Sequence, residues 1–168
     1  MIETILQLLN GLPKEIITVI VAGLPIAELR GALPLALLTF KIPLVQAFWL
    51  AYFGNLLPVL PLLLFLGPLS ERLRHFRIWR VFFDRLFERT KKRAGLVERY
   101  EALGLILFVA IPLPVTGAWT GCIAAALFKI RLRYAFCAIS IGVFCAGIIV
   151  SLITLIGRGI FHQLFLMR

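Results

Sequence analysis

The stretch Pro25-Ile26-Ala27-Glu28-Leu29-Arg30-Gly31-Ala32-Leu33-Pro34 decides how this chain is read. It lies near the middle of an apolar segment running from about Ile16 to Phe40, yet it carries an acid and a base two residues apart between two prolines. Each charge costs about 2.5–3.5 kcal/mol at the centre of a membrane helix. Two such charges flanked by helix-breaking residues do not describe a plain spanning helix, and the pattern predicts a turn at this point.

Outward from it, three further apolar segments follow. The second, about Leu44 to Leu66, is uncharged, contains Gly54, Asn55, Pro58 and Pro61, and is expected to span and to stop at Gly67-Pro68. The third, about Leu103 to Phe128, has its own break at Pro112-Leu113-Pro114-Val115-Thr116-Gly117-Ala118-Trp119-Thr120-Gly121. The fourth, about Tyr134 to Ile156, is expected to span and to end before Arg158. With 61% hydrophobic residues and a mean hydropathy of +1.00, the 168 residues hold far more apolar surface than a soluble core absorbs. An all-α integral membrane protein is predicted, in a single membrane domain.

Between the second and third segments the material changes. Ser70 to Arg99 holds ten Lys/Arg against Glu71, Asp84, Glu88 and Glu98. Leu73, Phe76, Trp79, Phe83 and Leu86 recur at helical spacing, which predicts an amphipathic helix over 69–101 with Ser70 as N-cap, lying on anionic headgroups. The formal charge of +10 clusters beside membrane segments, so it marks a cytoplasmic membrane face rather than a nucleic-acid partner.

Sliding the chain against itself by 88 residues aligns Val21-Ala22 with Val109-Ala110, Phe40-Lys41-Ile42 with Phe128-Lys129-Ile130, Ala47-Phe48 with Ala135-Phe136, and Gly54 with Gly142. Each copy (about 14–68 and 102–158) is a broken segment, an F-K-I corner and an uninterrupted helix. If all four segments crossed, the corner bearing Lys129, Arg131 and Arg133 would face outward, against the charge rule. Broken segments that enter and return keep that corner inside. The expectation is therefore an inverted repeat of re-entrant helical hairpin plus transmembrane helix, with a cytoplasmic amphipathic helix between the repeats and hairpin tips lining a midplane cavity. Four plain helices kinked at proline are the other arrangement this pattern allows.

Glu28 and Arg30 are the candidate substrate and coupling residues, as a fixed pair or as an anion site with a proton carrier. Residues two apart do not face each other on a regular helix, so a direct pair requires the turn. Gly31 is expected to permit a tight approach or a positive φ, and the half-helix after it to offer N–H groups to a phosphate. Thr116, Gly117, Trp119 and Thr120 supply hydroxyl and indole donors in the second break, with Asn55 and Ser140 as further polar candidates. Pro25, Pro34, Pro112, Pro114 and Gly121 are expected to make the breaks.

Cys122, Cys137 and Cys145 lack a C-x-x-C pair and read as packing residues, so no metal is expected. His75 and His162 stand apart from any nucleophile, and no phosphate-binding G-x-x-x-x-G-K-[ST] loop is present, so neither an enzyme nor a cofactor is expected. The first residues, Met1-Ile2-Glu3-Thr4, lack a basic n-region, so no cleaved signal peptide is expected.

Glu28-Leu29-Arg30-Gly31-Ala32-Leu33-Pro34 and the Pro112–Gly121 motif resemble the two signatures of the small multidrug export proteins, over nearly the whole chain. The facing hairpins are also similar to the DedA-type membrane proteins, which are linked to flipping of polyprenyl-phosphate carriers, often with proton coupling. The resemblance implies a transporter in a prokaryotic plasma membrane. Its substrate would be either an anionic lipid-type amphiphile such as a polyprenyl phosphate, or a lipophilic cation exchanged for protons at Glu28. A non-transporting scaffold is the reading from another class. Two full and two half crossings enclose little, so a homo-oligomer, with a dimer favoured, is expected.

Overall fold

The computed structural model describes residues 11–73, 102–112 and 116–166. Among these, all regular structure is helical: α1 Lys14–Gly23, α2 Glu28–Pro34 continuing into a π-helical turn at Leu35–Thr39, α3 Leu44–Leu56, α4 Val59–Leu73, α5 Ala102–Ala110, α6 Ala118–Leu127 and α7 Leu132–Leu166. Two stretches, Leu44–Leu66 and Leu132–Gly159, are long and apolar enough to cross a membrane. The basic stretch beyond Leu73 lies outside the described residues.

Small residues fill the interior and large apolar ones face out. Ala22, Ala32, Ala36, Ala47, Ala51, Ala118, Ala124 and Ala135 are fully buried, whereas Ile26, Val45, Leu57, Phe65 and Leu103 are well exposed. Water would make such a surface costly. In lipid it costs little, and helix contact is then governed by how closely backbones approach, which favours Ala and Gly. This is a membrane protein.

The chain forms two compact units, one made of described residues up to Asn55 together with those from Gly147, the other of those from Leu56 to Ala146. In the first unit, α2 packs back on α1. Ile17, Thr18, Val21 and Ala22 form the buried stripe of α1. The Lys14 ammonium donates to the Phe40 carbonyl at 3.4 Å, so the two ends of this helical hairpin meet. At ten residues, α1 rises only about 15 Å, half of an apolar bilayer core. α3 then crosses α1 at Gly54, where an added Cβ would stand 2.6 Å from the Val19 carbonyl oxygen and 3.0 Å from the Ala22 Cβ. α7 contributes Gly147, which lies under Phe48 and Leu29.

In the second unit, α5 and α6 form the corresponding hairpin, with Gly121 tight against Val109. Here α7 crosses α5 at Gly142, beside Ile106 and Val109. α4 packs on α6, and the Cys122 thiol points at the Val59 carbonyl at 3.8 Å. Each unit thus combines one hairpin, the first half of the helix after it, and the second half of the other long helix. Val59 and Gly147, the residues where that second half docks, stand 88 positions apart.

Several boundaries differ from the sequence expectation. Gly67-Pro68 does not stop the helix, because α4 runs to Leu73 and includes Ser70, which is therefore no N-cap. A proline removes one backbone bond, and an apolar surround offers the freed groups no water that would make ending the helix favourable. The interruption comes earlier, at the Leu57–Pro58 turn between α3 and α4. Likewise α7 passes through Arg158 to Leu166.

Candidate functional site

The hairpin tip of the first unit is built by the shortage of helix signals between Leu24 and Ala27. Pro25 prevents α1 from continuing, and Leu24 donates its N–H to Val21 in a closing turn of 3.2 Å. The Glu28 N–H then donates to the Leu24 carbonyl at 3.0 Å. Glu28 adopts a left-handed backbone, φ 49°, at the first position of α2. That conformation is unfavourable for a residue with a Cβ and is held here by the surrounding structure.

The consequence is geometric. With the chain turned here, the Glu28 carboxylate interacts electrostatically with the Arg30 guanidinium two residues on. Glu28 is 8% exposed, while Arg30 is half-buried. The turn demanded by two charges at this spacing is present, with the acid as its strained residue.

Gly31 provides the tight approach expected of it but not the start of a half-helix. α2 begins at Glu28, so Gly31 lies inside its first turn, and its N–H is engaged with the Ala27 carbonyl at 2.8 Å. No half-helix starts after it. An added Cβ would meet the Ala27 Cβ at 3.0 Å, so the position is one of close packing. Pro34 also lies within continuous helix, leading into the π turn, whereas Pro25 is in the break.

At the end of α3, Asn55 is 3% exposed and its Oδ1 has no hydrogen-bond partner. The adjacent Gly54 carbonyl lies 3.3 Å from where a Cβ on Gly23 would stand, which brings the end of α1 against the end of α3. Glu28 follows Gly23 in the chain by five residues.

In the second unit, the break spans Ile111 to Gly117, with Pro112 inside it and Pro114 outside the described residues. The Thr116 hydroxyl donates to the Ile111 carbonyl at 2.8 Å. The Thr120 hydroxyl accepts from the Gly117 N–H at 2.8 Å and donates to the Gly117 carbonyl at 3.2 Å. The Thr116 hydroxyl thus ties the break back to the end of α5, while the Thr120 hydroxyl closes the first turn of α6. Gly117 is the N-cap in extended backbone, Trp119 is half-buried in the first turn of α6, and Gly121 is a packing position inside that helix. The expected break at Ala118–Gly121 is helix, because Thr120 caps it.

Ser140 keeps a buried hydroxyl without a partner, as does Ser151 on α7, which sequence reasoning passed over. A lone serine among Ile, Val and Leu gives no signal, since a hydroxyl in a membrane helix usually bonds back to its own backbone, as Thr154 does to Val150 at 2.7 Å.

No curated protein and no solved structure matches the chain. A family model described as "Putative small multi-drug export protein" matches residues 28–149, beginning at Glu28 and covering α2 through most of the apolar part of α7. That match starts directly after the first hairpin break, takes in the second and covers well over half of the sequence, and the chain belongs to this export family, which is not an enzyme family.

Proposed function

We propose that this protein is a membrane transporter for an amphiphile with an anionic head group, such as a polyprenyl phosphate, and that the first hairpin tip is its substrate and coupling site. The carrying observation is the pairing of a buried, backbone-strained Glu28 with a half-exposed Arg30. The accessible charge at the tip is the cation, and a guanidinium grips phosphate through two parallel hydrogen bonds. Glu28 neutralises Arg30 when no head group is bound and is the group positioned to carry a proton.

In this reading the hairpins are re-entrant and the two copies are inverted in the membrane. Support comes from the Lys14–Phe40 contact, from arms too short to cross, and from the matching make-up of the two units. Charge distribution favours a multi-pass protein of a prokaryotic plasma membrane with the basic segment 70–99 cytoplasmic, binding anionic lipids, and a homodimer completing the enclosure. Export of a lipophilic cation on Glu28 is the second reading, favoured by the family description and by the burial of that carboxylate.

Native mass spectrometry of the detergent-purified protein with a polyprenyl phosphate, a zwitterionic phospholipid and a lipophilic cation tests the choice. Selective retention of the phosphate lipid, lost in Arg30→Ala, is expected. Retention of the cation instead, unaffected by Arg30→Ala and lost in Glu28→Gln, would establish the second reading. Retention of none would leave a scaffold.

A further inference from the structure

The end of α3 holds one side-chain oxygen without a donor and, next to it in the chain, a carbonyl that lacks its helical donor. Of the four buried residues on this helix, Ala47, Ala51, Gly54 and Asn55, only Asn55 has a polar side chain, and its Oδ1 is unpartnered at 3% exposure. A buried amide oxygen with no donor is rare in native proteins and calls for an occupant.

One residue earlier, the Gly54 carbonyl would take its helical hydrogen bond from the N–H four positions on, and that residue is Pro58, which has none. This carbonyl lies against the end of α1, 3.3 Å from where a Cβ on Gly23 would stand. Both acceptors belong to the last turn of α3, immediately before the Leu57–Pro58 interruption.

Two acceptor oxygens in a low-dielectric interior, at the broken point of a spanning helix, recognise positive charge. Freed carbonyls at such points coordinate small monovalent ions. We propose that the Gly54 carbonyl and Asn55 Oδ1 are ligands of a Na⁺ site in the first unit, with water or substrate oxygens filling the remaining positions.

The site deepens the anionic-substrate reading and rests on it in one respect. Glu28 and Arg30 together carry no net charge, so a Na⁺ at the neighbouring helix end adds one positive charge that an anionic head group on Arg30 offsets. Ion and substrate then raise each other's affinity by the same factor.

Thermal denaturation of the purified full-length protein, in NaCl or N-methylglucamine chloride at equal ionic strength and without substrate, tests the ion site alone. A saturable rise in Tm with Na⁺ is expected, absent in Asn55→Leu. In Asn55→Asp, which keeps the shape and adds charge, half-saturation should move about tenfold lower in Na⁺. An equal response to both cations in the wild type, or a Na⁺ response unchanged in both variants, would overturn the site and leave at most a buried water. If Asn55→Leu does not fold, Asn55→Asp decides. Loss of the head-group reading shows separately, as failure of Arg30-dependent lipid retention while the Na⁺ response persists.

Discussion

Lys41 and Lys129 hold the same left-handed backbone conformation, φ 54° and 53°, at the foot of the two hairpins. In each case the following isoleucine donates back into the preceding helix, six residues back in the first copy and five in the second. After Lys41, Ile42 donates to Ala36 at 2.9 Å; after Lys129, Ile130 donates to Ala125 at 2.9 Å. In each copy one lysine ends a helix, turns the chain and releases it into the long helix that follows, so the F-K-I corner is a structural device repeated 88 residues on.

A left-handed residue with a Cβ costs about 1–2 kcal/mol, and β branching raises that. Lys41→Val and Lys129→Val should therefore each lower thermal stability in detergent, by similar amounts. Lys41→Gly should not, because glycine accepts the conformation freely.

Gly54→Ala places a methyl 2.6 Å from a backbone oxygen that cannot swing away, and Gly142→Ala places one 2.7 Å from Val109 and 3.0 Å from the Ile106 carbonyl. Each should destabilise by about 1–3 kcal/mol. The check is the contrast with Gly157→Ala, where nothing lies within 4 Å and helix propensity predicts no loss. Equal melting of all three would deny the crossings.

Thr120→Val removes the acceptor for the Gly117 N–H and the cap of α6, which should cost about 1 kcal/mol. Because the hydroxyl is engaged with the turn, retention of lipid by the folded variant should be unchanged. A variant of wild-type stability that has lost its ligand would return Thr120 to the binding site.

Glu28→Ala leaves the Arg30 charge without its acidic neighbour, and Arg30→Ala does the reverse. Each should reduce stability more than the double variant predicts by addition, giving a coupling of about 0.5–3 kcal/mol. Additive losses measured by denaturation would mean the two charges act independently.

Much of this protein could be read from its letters. The placement of Glu28 and Arg30 between prolines forced a turn, and the turn is there. The 88-residue self-similarity predicted paired glycines, and Gly54 and Gly142 are both crossing points. Apolar length and charge identified the two long helices, because crossing a bilayer is a one-dimensional requirement that sequence expresses directly.

What the letters left open was every choice settled by neighbours. Glycine suggested that Gly31 would bear the unusual backbone, but Glu28 bears it, because the Leu24–Glu28 turn fixes that conformation regardless of intrinsic preference. The Thr116 and Thr120 hydroxyls, which the sequence offers only as polar donors, bond to the backbone of the second break and of the first turn of α6. Asn55 is one polar candidate among several in the sequence and Ser151 gives no signal there; packing singled both out by burying them and leaving their oxygens without donors. Sequence alone determined which segments are apolar, where they break and that they repeat, since these follow from composition and spacing along the chain. Which polar groups remain unsatisfied was decided by tertiary structure, because a hydrogen bond depends on what another segment brings within about 3 Å.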